Sequence, residues 1–259
     1  MIDVQNLEDE RRIDIDKVGV KNIRYPITVL DKAKGQQRTV ASVNMYVNLP
    51  HKYKGTHMSR FIEILSEYRH EISPQNLSNI LEEMKRRLNA ESAHMELTFP
   101  YFIEKKAPVS GTSSLMEYTC SFNGSVNGQG RDIIVSVAVP ITTLCPCSKE
   151  ISQHGAHNQR GEVRLAIRFK RFLWIEDMIR LVETSCSSEV FSLLKRNDEK
   201  YVTEHAYDNP MFVEDVVREI AHKLEPDDNI TWFSVSAENF ESIHNHSAYA
   251  FIERTKRPK

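Results

Sequence analysis

Hydrophobic and polar positions alternate most clearly across RTVASVNMYVNL, where Ala41, Val43, Met45, Val47 and Leu49 fall on one side and Ser42, Asn44 and Asn48 on the other. A period of two is that of a half-buried antiparallel strand. GVKNIRYPITVL, just ahead of it, reads as another strand. The period then changes. Met58, Phe61, Ile62 and Leu65 recur at helical spacing, and Ser73 followed by Pro74 supplies N-cap and first-turn signals for a helix whose apolar stripe is Leu77, Ile80, Leu81, Met84 and Leu88. Strands at HMELTFPYF and LMEYTCSFNGSV close this half.

Near Gly128 to Gly130 the same order begins again, with strands at DIIVSVAVPI and EVRLAIRF, helical segments starting near Trp174 and near Asn209-Pro210, and strands at NITWFSVSAE and HSAYAFIER. Strand, strand, helix, helix, strand, strand, twice over, predicts an α+β protein in which each half is an antiparallel four-stranded sheet with two helices on one face. The expected division is a polar N-terminal arm at 1–18, a first module at 19–130 and a second at 131–259. A sheet covered on one face leaves another face and two edges open, so eight such strands can continue across subunits, and a homo-oligomer is expected.

Composition narrows the class. A chain of 259 residues, 40% hydrophobic, has enough apolar surface for a substantial core. Its 34 basic and 36 acidic residues are interspersed and leave a net charge of -2, which speaks against nucleic acid or an anionic membrane as partner. Any phosphate binding must be local. No apolar run approaches the roughly 20 residues of a membrane span, and MIDVQNLEDERRIDIDK is charged where a signal peptide is apolar, so a cytoplasmic location is expected. Cys145 and Cys147 are too close for an easy disulfide and Cys120 and Cys186 lie far away, which favours free thiols in a reducing compartment.

The candidate chemistry is concentrated in LCPCSKEISQHGAHNQR, between the first two strands of the second half: Cys145, Cys147, His154 and His157, with Lys149, Glu150 and Arg160 among them. A connection this long where a tight turn would serve is a mark of function. Cys-x-Cys is too tight for the usual zinc knuckle, so a site with one thiolate, one imidazole and an open position fits better than a closed four-ligand one. Packed thiols and solvated imidazoles are the bland alternative, against which Pro146 and the polar neighbours speak.

A second constellation is Glu238, Glu241, His244 and His246 in SAENFESIHNHSAY. With the last strand starting near His244, His244 and His246 would share a face, and Glu241 beside an imidazole makes a proton-transfer pair. Glu199 and Glu214 are two further acids; an acid such as Glu214 in the first turn of a helix ordinarily just complements the dipole. Lys54, His57 and Arg60 in KYKGTHMSRF stand where a helix begins and could meet phosphates.

LPHKYKGTHMSRF, APVSG, TTLCPCSKEIS with GAHNQRG, LLKRNDEKYVTE, NPMFVEDVVR and ENFESIHNHSAYA, in this order through nearly the whole chain, together resemble the prokaryotic GTP cyclohydrolases of type IB. The resemblance implies tandem tunnelling-fold modules assembled into a homotetramer with sites between subunits. It also implies conversion of GTP and water to 7,8-dihydroneopterin triphosphate and formate, the entry to folate-type pterins and 7-deazaguanine nucleosides. Carried over by motif, Cys145, His157 and Glu199 would hold one divalent metal ion, with Mn, Zn and Fe all open. Glu214 would anchor the purine, Glu241 and His244 would transfer protons, and His57 and Lys149 would be the first candidates for the triphosphate, alongside Lys54, Arg160 and Lys195. Cys145 could also attack carbon directly, as in related nitrile reductases. The alternatives to a cyclohydrolase are an NADPH-dependent deazapurine nitrile reductase of the same fold and a metal-stapled binding module without turnover; no glycine-rich dinucleotide fingerprint is present.

Overall fold

The computed structural model describes residue 5 and residues 7–256. The chain is α+β, and it divides into two compact units, one made of the described residues up to Pro100 with Ser121–Val135, the other of Tyr101–Cys120 with the described residues from Ser136 onward.

In the first unit, β1 (Ile15–Asp31) and β2 (Gly35–Leu49) form an antiparallel hairpin. Asp31 turns the chain by accepting from Ala33 N at 2.9 Å and Lys34 N at 2.7 Å, and Gly35 takes the φ of 80° that the reversal needs. β1 begins inside the stretch expected as a polar arm; residues 1–4 and 6 of that arm lie outside the described residues. The ladder runs on through β3 (Ala93–Lys106), β4 (Ser113–Asn127) and β5 (Gly130–Leu144), whose strands pass from one unit into the other.

The alternation read in β2 holds: Ala41, Val43, Met45, Val47 and Leu49 are buried. Between β2 and β3 come α1 (Met58–Tyr68) and α2 (Pro74–Leu88). Ser73 caps α2 by accepting from Asn76 N at 3.2 Å, with Pro74 in the first turn, and all five apolar positions expected of this helix are buried. The stripe of α1 differs from its expectation. Phe61, Ile64 and Leu65 are buried, whereas Met58 and Ile62 are 42% and 38% exposed. The apolar spacing fitted two neighbouring stripes, and the one made of Phe61, Ile64 and Leu65 meets the core. The chain after α1 is bound to β1 by Thr28 N donating to Arg69 O and Ile72 N donating to Thr28 O, both at 2.9 Å.

In the second unit the ladder order is β3, β4, β5, β6 (Asn158–Phe169), β8 (Ile230–Phe240) and β9 (Ser247–Thr255), with the short β7 (Ser188–Glu189) on β5. Four helices accompany it: α3 (Pro146–Ile151), α4 (Ile175–Glu183), α5 (Arg196–Asp208) and α6 (Val213–Leu224). The second half of the chain is therefore richer than the expected strand and helix order, with α3, α5 and β7 added. The short α3 and the polar α5 lack a long apolar stripe, which is why periodicity passes over them.

Val163, Leu165 and Ile167 of β6, Phe233, Val235 and Ala237 of β8, and Val216, Val217, Ile220 and Leu224 of α6 supply this unit's core. Apart from Ala237, each such side chain contributes about 1.5–3 kcal/mol when buried, before conformational entropy is set against it. Polar contacts hold α4 in register with the strands. Tyr101 donates to Glu176 at 2.6 Å, and Glu183 accepts from Tyr118 at 2.6 Å and from Lys105 at 2.7 Å.

Candidate active site

The connection from β5 to β6 holds the six-residue helix α3 rather than an unstructured loop. Cys145 follows β5 and caps α3: its Sγ accepts from Ser148 N at 3.5 Å, its carbonyl accepts from Lys149 N at 3.1 Å, and Pro146 occupies the first helical position. The loop then returns to its start. Cys145 N donates to His157 O at 3.1 Å, and the Ser148 hydroxyl both donates to Cys145 O and accepts from His157 N, each at 3.1 Å. Twelve residues apart in sequence, Cys145 and His157 are thus joined by their own backbones and by one serine.

The His157 ring is oriented as well. Its Nδ1 lies 3.0 Å from Gln159 Oε1, and Gln159 Nε2 donates to Thr143 Oγ1 at 3.0 Å. Thr143 and Gln159 are buried, on the face of β5 and β6 that otherwise carries aliphatic side chains. Ser242 Oγ approaches the same ring nitrogen at 3.4 Å. That contact brings the segment NFESIHNH beside the cysteine and histidine loop within a single chain.

The C-terminal segment differs from its expectation. β9 begins at Ser247, so His244 and His246 sit in the connection before it and not on a strand; they are exposed, with rings stacked at 5.3 Å and 18°. The shared face comes from this stacking and not from strand alternation. Glu241 is half-buried in the same connection, next to Ser242.

Glu199 stands exposed in the first turn of α5, and its neighbour Asp198 does the anchoring. Asp198 is fully buried and accepts from Val109 N (2.9 Å), Ser110 N (2.8 Å), Ser110 Oγ (2.7 Å) and Lys195 N (2.8 Å), which ties the turn in APVSG to the start of α5. Burial pushes its carboxyl up, but the four donors prevail and hold it well below the usual carboxylate range. Glu214 is exposed in the first turn of α6. Lys149 is engaged with the end of α5: its ammonium donates to Tyr207 O and sits 4.3 Å from the Tyr207 ring centre. Cys147 and His154 are exposed, and the four cysteines are free thiols. His57 precedes α1, and Lys54 lines a cleft with Arg11 and Tyr53, both in the first unit.

Whether these residues suit a metal depends on their donors. Cys145 and His157 are donors of the right kind, a thiol and an imidazole whose backbones are hydrogen-bonded to each other, with Gln159 facing Nδ1 of the ring. The expected third ligand, Glu199, does not join them; among the described residues no three His, Cys, Asp or Glu side chains form a group able to hold a metal ion. Sequence reasoning missed Gln159, Ser148, Ser242 and Asp198. For Gln159 a signal existed, since a residue two positions after His157 at the start of a strand falls on the same side.

A family model described as type I GTP cyclohydrolase FolE2 matches residues 1–250. The GTP cyclohydrolase FolE2 of Syntrophus aciditrophicus (strain SB) is 65% identical over 254 residues, covering 98% of this chain and 100% of that protein. That of Syntrophobacter fumaroxidans (strain DSM 10017 / MPOB) is 64% identical over 257 residues, covering 99% and 100%. Among solved structures, a uricase from Bacillus fastidious is similar with a TM-score of 0.54 at 7% identity, covering 95% of this chain and 93% of that one. Urate oxidase from Bacillus subtilis 168 has a TM-score of 0.53 at 9% identity, covering 92% and 98%. At such low identity these two speak for a shared tunnelling-type fold and nothing more.

Proposed function

The chain belongs to the type I GTP cyclohydrolase FolE2 family, and from that premise we propose that it hydrolyses GTP to 7,8-dihydroneopterin triphosphate and formate at the junction of the CPC loop and the NFESIHNH segment. It is a GTP cyclohydrolase of folate biosynthesis. The observation that carries the location is His157, whose carbonyl accepts from Cys145 N and whose ring lies 3.4 Å from Ser242 Oγ, so that both motifs meet at one residue.

In this reading the enzyme is of type IB and one divalent cation, Mn, Zn or Fe, would be held by Cys145 and His157, with Glu199, which stands apart from them within one chain, completing the set only where subunits meet. When bound, the cation supplies Lewis acidity that makes water a nucleophile at neutral pH. The chain's own residues do the rest. Glu214, exposed in the first turn of α6, can accept both the N1–H and the exocyclic amine of guanine. Adenine would leave that carboxylate badly paired, which is the basis of selection. Glu241 and His244 would move protons to the departing imidazole-ring nitrogen. His57 and Lys149 would hold phosphates, Lys149 by exchanging the Tyr207 carbonyl for a phosphate oxygen.

The proposal extends to the assembly and location. Tandem modules at 19–130 and 131–259 would join into a homotetramer with sites between subunits. Support comes from β9, the last strand in the ladder order, which carries Tyr249 and Phe251 at 64% and 52% exposure. Among the described residues no helix is long and apolar enough to cross a membrane, and the cytoplasm is the expected compartment. The test supplies GTP with Zn²⁺, Mn²⁺ or Fe²⁺ and measures formate and, after oxidation, a fluorescent pterin. Both should appear with the wild-type chain and fall steeply with Cys145→Ala and Glu214→Ala; full turnover in both variants would sink the site assignment.

A further inference from the structure

We propose that Gln159 is a positioning residue that selects the nitrogen His157 presents to the metal. This rests on the reading of His157 as a metal ligand. A neutral imidazole carries one N–H and one lone pair, and the partner of one nitrogen decides the state of the other. Gln159 can meet a ring either through its amide oxygen or through its amide nitrogen. In the structure the nitrogen donates to the fully buried Thr143 hydroxyl at 3.0 Å and the oxygen faces His157 Nδ1 at 3.0 Å. An amide oxygen in that place favours the tautomer with the hydrogen on Nδ1 and the lone pair on Nε2.

Two further observations favour this role over plain packing. Gln159 stands at the head of a strand face that continues as Gly161, Val163, Leu165 and Ile167, all buried and apolar, where an aliphatic side chain would pack without needing partners. The other group near Nδ1, Ser242 Oγ, lies at 3.4 Å, beyond ordinary hydrogen-bond length, and is exposed. The Thr143–Gln159 pair is thus the buried element that holds the ring, and it joins the interior of the sheet to the proposed ligand.

The test uses the full chain with Gln159→Leu, Gln159→Glu, Thr143→Val and His157→Ala. ¹⁵N-histidine NMR of the metal-free protein, recorded at a pH where imidazole is neutral, should show His157 as the Nδ1–H tautomer, its signal assigned by loss in His157→Ala. Gln159→Leu should shift it toward Nε2–H and weaken Zn²⁺ binding, read by chelator competition, by about 10–100-fold. Gln159→Glu keeps the acceptor and should keep both the tautomer and near wild-type affinity. Should Gln159→Leu fail to fold, Thr143→Val gives the same reading, because it frees the amide to rotate and should mix the tautomers. An unchanged tautomer and unchanged Zn²⁺ affinity in the variants that fold, with binding lost in His157→Ala, would overturn the role of Gln159 alone. Wild-type Zn²⁺ binding by His157→Ala would instead remove the metal-ligand reading on which it rests.

Discussion

Gly161→Ala is a sharp test of how the sheet supports the site. Gly161 of β6 lies opposite Asn239 of β8, and a Cβ added there would stand 2.8 Å from Glu238 O, 2.8 Å from Asn239 Oδ1 and 3.2 Å from Ile141 Cγ1. Carbon and oxygen need roughly half an ångström more than this. The carbonyl belongs to the strand ladder and cannot swing away, and Asn239 is 2% exposed with an Oδ1 that accepts no hydrogen bond, so it has little room to retreat. Overpacking of this kind costs about 1–3 kcal/mol. Replacing glycine also restricts the unfolded chain, which returns about 0.4–1 kcal/mol. The net expectation is a loss of about 1–2 kcal/mol. Gly128→Ala is the internal control: nothing lies within 4 Å of the added carbon, so only the entropic gain of about 0.4–1 kcal/mol applies. Urea unfolding at one fixed protein concentration, followed by circular dichroism, should give a lower midpoint for Gly161→Ala than for wild type and an equal or higher one for Gly128→Ala. If Gly161→Ala is as stable as Gly128→Ala, the close approach of β6 and β8 is not what requires glycine there.

Three other outcomes follow from the same structure. Ser73→Ala removes the acceptor for Asn76 N and should cost about 1 kcal/mol in thermal denaturation, with Ser73→Asp restoring most of it. Burial pushes the Cys186 thiol up to about 12 and raises that of Cys120 further, so at pH 8 only about one Cys186 in ten thousand is thiolate; iodoacetamide and mass spectrometry should find the exposed Cys147 modified while Cys120 and Cys186 stay intact, and rapid labelling of the buried pair in folded protein would contradict this. Asp198 has a folded pKa below its unfolded value of about 3.9, so its ionised form stabilises the fold above that pH and the benefit is lost as pH falls through the lowered folded value. Asp198→Asn should therefore melt below wild type at pH 7, with a gap that narrows below about pH 4; a gap independent of pH would show that the charge is not what the four donors hold.

Much of the fold and the motifs was legible in the chain, because their signals are local. The alternation in β2, the Ser73-Pro74 start of α2, and that helix's stripe Leu77, Ile80, Leu81, Met84 and Leu88 appear as read, since periodicity and capping are decided over a few residues. The cluster of Cys145 and His157 also stood out by residue type and spacing. What eluded the sequence was set by partners distant along the chain. Asp198 looks like any surface acid until residues 109 and 110 arrive to donate to it. The stripe of α1 could not be chosen until the strands showed which turn they cover. His244 and His246 were placed on a strand because alternation cannot tell a strand's first residues from the connection before them.

The sequence by itself therefore determined the long strands and the amphipathic helices, the family and the residue types available for chemistry. Tertiary structure alone decided that Ser148 joins Cys145 to His157, that Ser242 delivers the C-terminal segment to the same ring, and that Thr143 and Gln159 hold that ring from within the sheet. Periodicity reports which side of an element is apolar, whereas a hydrogen bond depends on distances of about 3 Å between atoms many residues apart, and those distances exist only once the strands have paired.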